Sequence, residues 1–163
     1  MKVLLSIDGS SCSESAVQEV CAHAWAAGTE IEVLSVVTAG MPFIPEPTLT
    51  LIAAYETILN ESRAEAPRVV ERAAAAIRAA HPDLSITTRV VEGRPRQVII
   101  DEAQTHGANL IVIGAHGFGA VKRAMLGSVS QAVAAHAPCS VLIVRGVPCE
   151  RHTEETRQAA VSA

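Results

Sequence analysis

Five short apolar runs, separated by longer segments of helical composition, constrain the fold of this chain more than any other feature. The runs are Lys2–Ile7, Glu30–Val37, Ser85–Glu92, Leu110–Gly114 and Cys139–Val144. Near-continuous apolar runs are typical of parallel strands that are buried on both faces. Because crossovers between parallel strands are right-handed, the alternation predicts a single-domain α/β fold. Its core would be a doubly wound parallel five-stranded sheet in the order 3-2-1-4-5.

Helices are predicted between the strands over four segments: Ser13–Ala27, Thr48–Ala80, Pro95 to about Thr105, and Val129–His136. We expect Gly28 to end the first helix as a C-cap. Pro67 lies inside the second helical segment, where it is expected to kink or split the helix. A long connection rich in glycine and proline, residues 38–47, precedes that segment, and such loops are often functional.

Composition narrows the class of protein. The 163 residues are 49% hydrophobic but only 2% aromatic, and the formal net charge is −4. A chain of this charge, with few aromatic side chains for stacking on bases, is not expected to bind nucleic acid. No apolar run approaches the ~20 residues of a membrane-spanning helix, and the first residues lack the layout of a signal peptide. We therefore expect a cytoplasmic protein with a domain over 1–147 and a polar tail over 148–163.

The four cysteines, at positions 12, 21, 139 and 149, form no CxxC pair and show no zinc-finger spacing, so reduced thiols are expected. The histidines form no HExxH pattern, and no Gly-x-Ser-x-Gly elbow is present. The sequence therefore predicts neither a catalytic nucleophile nor a metal held by protein ligands.

The glycine-rich segment 114–128 is the strongest functional signal, because it links the fourth strand to the fourth helix. Backbone N–H groups in such a loop, together with a helix N-terminus, form a binding site for phosphate. In this interpretation Gly114 allows a sharp turn, and Gly117 and Gly127 allow close approach of an oxyanion. Ser128 and Ser130 add hydroxyl donors. The alternative is an ordinary flexible loop in which Ser128 is only an N-cap. The pattern is neither a Walker A loop nor the GxGxxG fingerprint.

Asp8, in the turn that follows the first strand, has two possible roles. It is placed to accept hydrogen bonds from ribose hydroxyls or an adenine amine, and equally it or Ser10 is placed to cap the next helix. Other polar residues have similar alternatives. Lys122 with Arg123, Arg94 with Arg96, and His116 are candidates for phosphate contacts, or are side chains that face solvent.

The run Gly114-x2-Gly117-x9-Gly127-Ser128 resembles the motif of the nucleotide-binding branch of the universal stress protein family. Residues 3–10, 108–114 and 137–144 are similar to the first, fourth and last strands of that family, so the resemblance covers residues 1–145. It implies an adenine-nucleotide α-hydrolase-like, Rossmann-like fold. Two features depart from the family: Ser6 precedes the acidic turn, where many members have a more apolar residue, and Phe118-Gly119 occupies a variable loop.

The resemblance also implies a function. Such a protein binds ATP, often with Mg²⁺ or Mn²⁺ held through the phosphates, and regulates stress responses with at most slow hydrolysis or autophosphorylation. Asp8 would contact ribose or adenine, Val36 would offer backbone groups to adenine, and the glycine motif would hold ribose and phosphates. The full expected set of nucleotide-binding residues is Ser6, Ile7, Asp8, Val36, Ile113, Gly114, Gly117, Gly127, Ser128, Val129 and Ser130.

Members of the family commonly form homodimers by pairing the last strand, which is residues 140–144 in this chain, and an exposed strand edge gives a physical reason. Other functions stay open at this point. The chain is alternatively a nucleotide-free homodimeric interaction module, a binder of cyclic AMP or AMP, or a nucleotide hydrolase or nucleotidyl-transfer enzyme.

Overall fold

The computed structural model describes residues 1–38, 48–117 and 126–146. They form five strands and four helices in strict alternation: β1 (Lys2–Ile7), α1 (Ser11–Ala22), β2 (Glu30–Thr38), α2 (Leu49–Ala80), β3 (Ser85–Gly93), α3 (Pro95–His106), β4 (Leu110–Gly114), α4 (Ser128–His136) and β5 (Ser140–Val144). All strand pairs are parallel and the order is β3-β2-β1-β4-β5, which confirms the predicted doubly wound sheet.

Helices cover both faces of the sheet, and each face has its own aliphatic cluster. Leu5, Val33 and Val112 face α1 and α2, where they pack against residues such as Val20 and Ile77. On the opposite face, the alternate strand positions Leu4, Leu34 and Ile111 pack in one cluster with Ile99 of α3 and Val133 of α4. Because strand side chains alternate between the two faces, each buried strand contributes to both clusters.

The first helix is shorter than predicted and ends at Ala22 rather than Ala27. The Trp25 indole Nε1 donates a 2.8 Å hydrogen bond to the Val20 carbonyl, which in a longer helix would accept a backbone N–H instead. The C-cap is His23, so the expectation that Gly28 caps α1 is wrong. Gly28 instead has a φ of +75° in the turn before β2.

Pro67 does not split the second helix. Residues Leu49–Ala80 form one continuous helix of 32 residues with the proline inside it. The Pro67 ring is exposed, whereas Val70, Ala74 and Ile77 are buried against the sheet. An interior proline costs a helix roughly 3 kcal/mol, and the burial of this apolar stripe outweighs that cost.

Several element boundaries differ from the prediction by one residue. The last strand begins at Ser140 rather than Cys139, and α4 begins at Ser128 rather than Val129.

Cys12, Cys21 and Cys139 are free thiols, as predicted. Burial raises the pKa of the Cys21 and Cys139 thiols, so less of the reactive thiolate forms at neutral pH. Cys149 and the predicted loop after Thr38 lie outside the described residues, as does the polar tail.

None of the helices in the described ranges is both long enough and apolar enough to cross a lipid bilayer.

Pro67→Ala should stabilise the protein. The substitution restores a backbone N–H that can bond to the Arg63 carbonyl and removes the ring's clash with it. We expect the free energy of unfolding to rise by about 1–3 kcal/mol, measured by urea denaturation. Arg68→Ala, the exposed neighbour, is the control and should change stability by less than ~0.5 kcal/mol. A loss of stability in Pro67→Ala would show that the proline is accommodated without strain.

Candidate functional site

A cavity of about 740 Å³ opens at the carboxyl ends of β1, β2 and β4. β1 and β4 are neighbours in the sheet, but β1 is followed by β2 on one side and β4 by β5 on the other. The cavity therefore lies at the topological switch point, which is where open α/β sheets bind ligands. All eleven residues of the predicted nucleotide site line this one cavity: Ser6, Ile7, Asp8, Val36, Ile113, Gly114, Gly117, Gly127, Ser128, Val129 and Ser130.

The turn after β1 is held by its own side chains. Asp8 Oδ1 accepts hydrogen bonds from the Ser10 backbone N–H at 2.9 Å and from Ser10 Oγ at 2.6 Å. Ser10 is the N-cap of α1, and its Oγ accepts from the Ser13 N–H at 3.4 Å. The capping role thus belongs to Ser10. Asp8 orients Ser10 with one carboxylate oxygen, and the other oxygen, Oδ2, accepts no hydrogen bond from any described residue.

Gly114 has a different role from the predicted sharp turn. A side-chain Cβ at this position would lie 2.8 Å from the Cys12 carbonyl carbon and 2.9 Å from the Ser13 nitrogen. Both atoms belong to the backbone of the first turn of α1, which cannot easily move. Gly114 is the last residue of β4 and its φ is not positive, so the missing side chain permits close helix–strand packing.

Gly117 and Gly127 permit close approach of other groups at the cavity. A Cβ at Gly117 would lie 2.5 Å from Asp8 Oδ2, so any larger residue must displace that carboxylate. A Cβ at Gly127 would lie 3.2 Å from the Ala115 carbonyl oxygen. The Gly127 N–H donates a 2.8 Å hydrogen bond to that same oxygen, which holds the start of α4 against the end of β4.

The N-terminus of α4 opens into the cavity without a side-chain cap. Its N-cap is Gly127, which corrects the alternative that Ser128 is the cap; Ser128 is the first helical residue. The first intrahelical bond at this end runs from Gln131 N–H to the Gly127 carbonyl. The N–H groups of Ser128, Val129 and Ser130 therefore have no helical partner and, with the helix dipole, favour an anion.

The Ser130 hydroxyl is used within the protein. Its side chain is buried, and Oγ donates to the Ala115 carbonyl at 2.8 Å and lies 3.0 Å from the Gly127 carbonyl. The one hydroxyl proton is therefore occupied, in contrast to the predicted donor for phosphate. The backbone N–H of Ser130, rather than its hydroxyl, is the group available to an anion.

One wall of the cavity comes from α2, which the motif analysis did not identify. The lining side chains repeat at helical spacing along one face of this helix: Tyr55, Ile58, Leu59, Glu61, Ser62, Glu65, Ala66, Val69 and Arg72. The periodicity was visible in the sequence as an amphipathic pattern. Only the packing of α2 shows that the first part of the stripe faces a cavity rather than the core.

The charged and titratable groups at the cavity agree only in part with those expected. Arg72 lines it, and no ion pair within the described ranges uses its guanidinium. Arg94 and Arg96 are exposed and do not line the cavity. His116 lines it with a half-buried side chain. Lys122 and Arg123 lie outside the described residues, as does the Phe118-Gly119 pair.

Residues 1–145 match the family described as the Universal stress protein family. The chain belongs to this family. It is 33% identical to the universal stress protein YxiE of Bacillus subtilis, with 88% of this chain and 98% of the relative covered. It is 34% identical to a universal stress protein of Thermus aquaticus, with 88% and 97% covered.

Solved structures of universal stress proteins share the fold. The UspA protein from Lactobacillus plantarum superposes with a TM-score of 0.70 at 25% identity, covering 89% of this chain and 97% of that one. A universal stress protein in complex with cAMP gives 0.62 at 21% identity, with 90% and 98% covered. An Arabidopsis thaliana family member with AMP bound gives 0.64 at 15% identity, with 96% and 98% covered.

In this universal stress protein, Ser130→Ala should reduce stability. The change removes the buried hydrogen bond from the Ser130 hydroxyl to the Ala115 carbonyl, although that carbonyl still accepts from the Gly127 N–H. We expect the free energy of unfolding to fall by about 0.5–1.5 kcal/mol in urea denaturation. Ser15→Ala is the matched control, because Ser15 Oγ donates to a helix carbonyl at an exposed position. Equal effects of the two substitutions would contradict a structural role for Ser130.

Proposed function

We propose that this chain is a regulatory universal stress protein that binds an adenine nucleotide, ATP, in the cavity at the switch point. The observation that carries the proposal is the uncapped N-terminus of α4, which opens into that cavity beside Gly117 and Gly127. Three N–H groups at a helix N-terminus form a site for phosphate oxygens. A cavity of about 740 Å³ is within the usual size range of small-molecule sites.

The remaining parts of a nucleotide have matching groups in the same cavity. Among the described residues, nothing donates a hydrogen bond to Asp8 Oδ2, which suits a ribose hydroxyl donor. The end of β2 around Val36 combines apolar side chains with backbone polar groups, which suits an adenine ring. Ser6, Ile7 and Ile113 line the same cavity at the carboxyl ends of β1 and β4.

A divalent cation would accompany the phosphates. We propose that Mg²⁺ or Mn²⁺ is held mainly by phosphate oxygens, because these hard cations retain water and oxygen ligands. Glu61 and Glu65 line the cavity from α2, where their carboxylates can accept hydrogen bonds from the water molecules of such a cation.

Regulation by binding, rather than rapid turnover, is the proposed role, with hydrolysis or autophosphorylation at most slow. The structural neighbours that contain cAMP and AMP support an adenine nucleotide as the ligand class. ATP rather than a monophosphate is proposed because the helix N-terminus, with Gly117 and Gly127 beside it, provides donors for several phosphate oxygens.

Nucleotide extraction tests this proposal. We expect freshly purified protein to release near-stoichiometric ATP, identified by chromatography after denaturation. The Gly117→Val, Gly127→Val double variant should release none, because its new side chains occupy space beside Asp8 and the α4 N-terminus. Gly28→Ala is the control: it costs about 1–2 kcal/mol of backbone strain at a positive φ far from the cavity, and should retain the nucleotide.

Asp8→Asn separates binding from folding in the same experiment. The asparagine keeps an oxygen that accepts from Ser10, but it replaces Oδ2, the proposed acceptor for ribose, by an amide donor. We expect nearly unchanged thermal stability of the empty protein and an ATP affinity at least about tenfold lower by calorimetry. Unchanged affinity would remove Asp8 from the proposed site.

Other results of the extraction point to other functions. Recovery of AMP or cyclic AMP, with preferential stabilisation by the same nucleotide, would replace ATP as the ligand. An empty protein whose melting temperature rises with none of ATP, ADP, AMP and cyclic AMP would contradict nucleotide binding. The nucleotide-free interaction module would then be the better explanation.

We also propose that two copies associate through β5. This strand is at the edge of the sheet and pairs only with β4 among the described strands. Its residues 141–144 are apolar and only partly buried within one chain. An exposed apolar edge favours pairing with another strand.

The dimer should be visible in sedimentation equilibrium. We expect a mass of twice 17.1 kDa at micromolar concentration, independent of added salt because the proposed contact is apolar and backbone-mediated. A mass of 17.1 kDa across the accessible concentration range would contradict association through β5.

A further inference from the structure

Glu32 is a buried carboxylate on the face of the sheet that α3 and α4 cover. It is the third residue of β2, with Leu4 as its register partner on β1, and its side chain points toward α3 as Leu34 does. The residue is only 5% exposed. An ionised carboxylate in such a position is costly unless its oxygens are paired. Burial of Glu32 therefore requires partners for its carboxylate oxygens.

The last two turns of α3 supply those partners. Glu102 and His106 are four residues apart, so their side chains lie on the same face of the helix. His106 Nε2 lies 2.6 Å from Glu32 Oε2. One nitrogen or oxygen from each of Glu32, Glu102 and His106 lies within 4.8 Å of the other two. The packing of α3 on β2 thus brings two carboxylates and an imidazole together.

The hydrogen bonds and ion pairs of the described residues leave this cluster incompletely satisfied. Glu32 Oε1 is fully buried and has no hydrogen-bond partner. Glu102 Oε2 is also buried without a hydrogen bond, although Arg89 Nη1 lies 3.1 Å from it in an ion pair. Glu32 and His106, but not Glu102, line a small cavity of about 60 Å³, which has room for a water molecule beside the cluster.

We propose that Glu32, Glu102 and His106 bind a divalent transition-metal cation of the Zn²⁺ type. An imidazole nitrogen with two carboxylate oxygens is a ligand set that suits Zn²⁺, and a water molecule would complete a tetrahedron. The cation replaces the proton between His106 Nε2 and Glu32 Oε2. These atoms must separate from 2.6 Å to roughly 3.3 Å, as tetrahedral angles require at bonds of about 2.0 Å.

The surroundings allow that adjustment. The His106 side chain is 38% exposed at the end of α3, so the imidazole can move outward without disturbing the core. Arg89 reaches Glu102 from β3 and holds its carboxylate in place, as outer partners of metal ligands often do. The cation also offsets the repulsion between the Glu32 and Glu102 carboxylates.

This site is separate from the proposed nucleotide site. Glu32 lies near the start of its strand and His106 at the end of α3, so the cluster is toward the amino ends of the strands. None of the three residues lines the 740 Å³ cavity. A cation held by nucleotide phosphates would therefore bind at a different place from a cation held by Glu32, Glu102 and His106. For this reason the test uses protein from which nucleotide has been removed.

Calorimetric titration of the metal-free, nucleotide-free full chain with Zn²⁺ tests the proposal. We expect one strong site per chain. Glu32→Gln and His106→Gln should each weaken it more than about tenfold, since even outer partners of metal ligands are worth that much. His136→Gln is the matched control, because His136 occupies the corresponding last turn of α4 and should leave the affinity unchanged.

Co²⁺ identifies the ligands independently. The parent should show the visible absorption of tetrahedral Co²⁺ without a thiolate charge-transfer band, and Glu32→Gln should lose it. The proposal would be overturned by the absence of a Zn²⁺ site in the parent, by an affinity in Glu32→Gln or His106→Gln equal to that of the parent, or by a thiolate band. If Glu32→Gln fails to fold by circular dichroism, His106→Gln decides the result, because its side chain lies at the edge of the core.

Discussion

The contact between the end of β4 and the first turn of α1 is the constraint on which the proposed nucleotide site depends. Only a glycine at position 114 lets the backbone of α1 approach β4 this closely. Ala115, the next residue, then links three elements: its N–H donates to the Val144 carbonyl, and its carbonyl accepts from Gly127 N–H and Ser130 Oγ. The position of the α4 N-terminus relative to β1 follows from these bonds.

The same arrangement explains why the turn after β1 lies beside the glycine-rich segment. Ser10 Oγ lies 3.3 Å from the His116 carbonyl oxygen, and Gly117 leaves space for the Asp8 carboxylate. Side chains from segments more than a hundred residues apart thus share one wall of the cavity. The free N–H groups at the start of α4 and Asp8 Oδ2, which accepts no hydrogen bond from a described residue, both line this cavity. This pairing suits a ligand with a phosphate at one end and hydroxyl donors further along.

Polar groups in this molecule are concentrated at the two ends of the sheet. Ser6, Ser35 and Ser130 are buried at the carboxyl ends of the strands, whereas Glu32 is buried near the amino ends. The middle of the sheet is aliphatic, and this is where Leu5, Val33 and Val112 exclude water. A parallel sheet covered on both faces has few other places for polar chemistry, since its flanks are occupied by helices. The two proposed sites therefore occupy separate ends of one rigid core.

The local sequence predicted the strands and the glycine motif, because apolar runs and glycines act over a few neighbouring residues. The alternation of strands and helices, together with the family resemblance, predicted the strand order. Tertiary structure decided what depends on distant contacts. Packing kept α2 continuous through Pro67, and the Trp25 indole ended α1 early. Packing also placed one face of α2 along the cavity. It brought the Ser130 hydroxyl within hydrogen-bond distance of the Ala115 carbonyl. The cluster of Glu32 with Glu102 and His106 has no sequence signal, because its residues come from a strand and a helix some seventy positions apart.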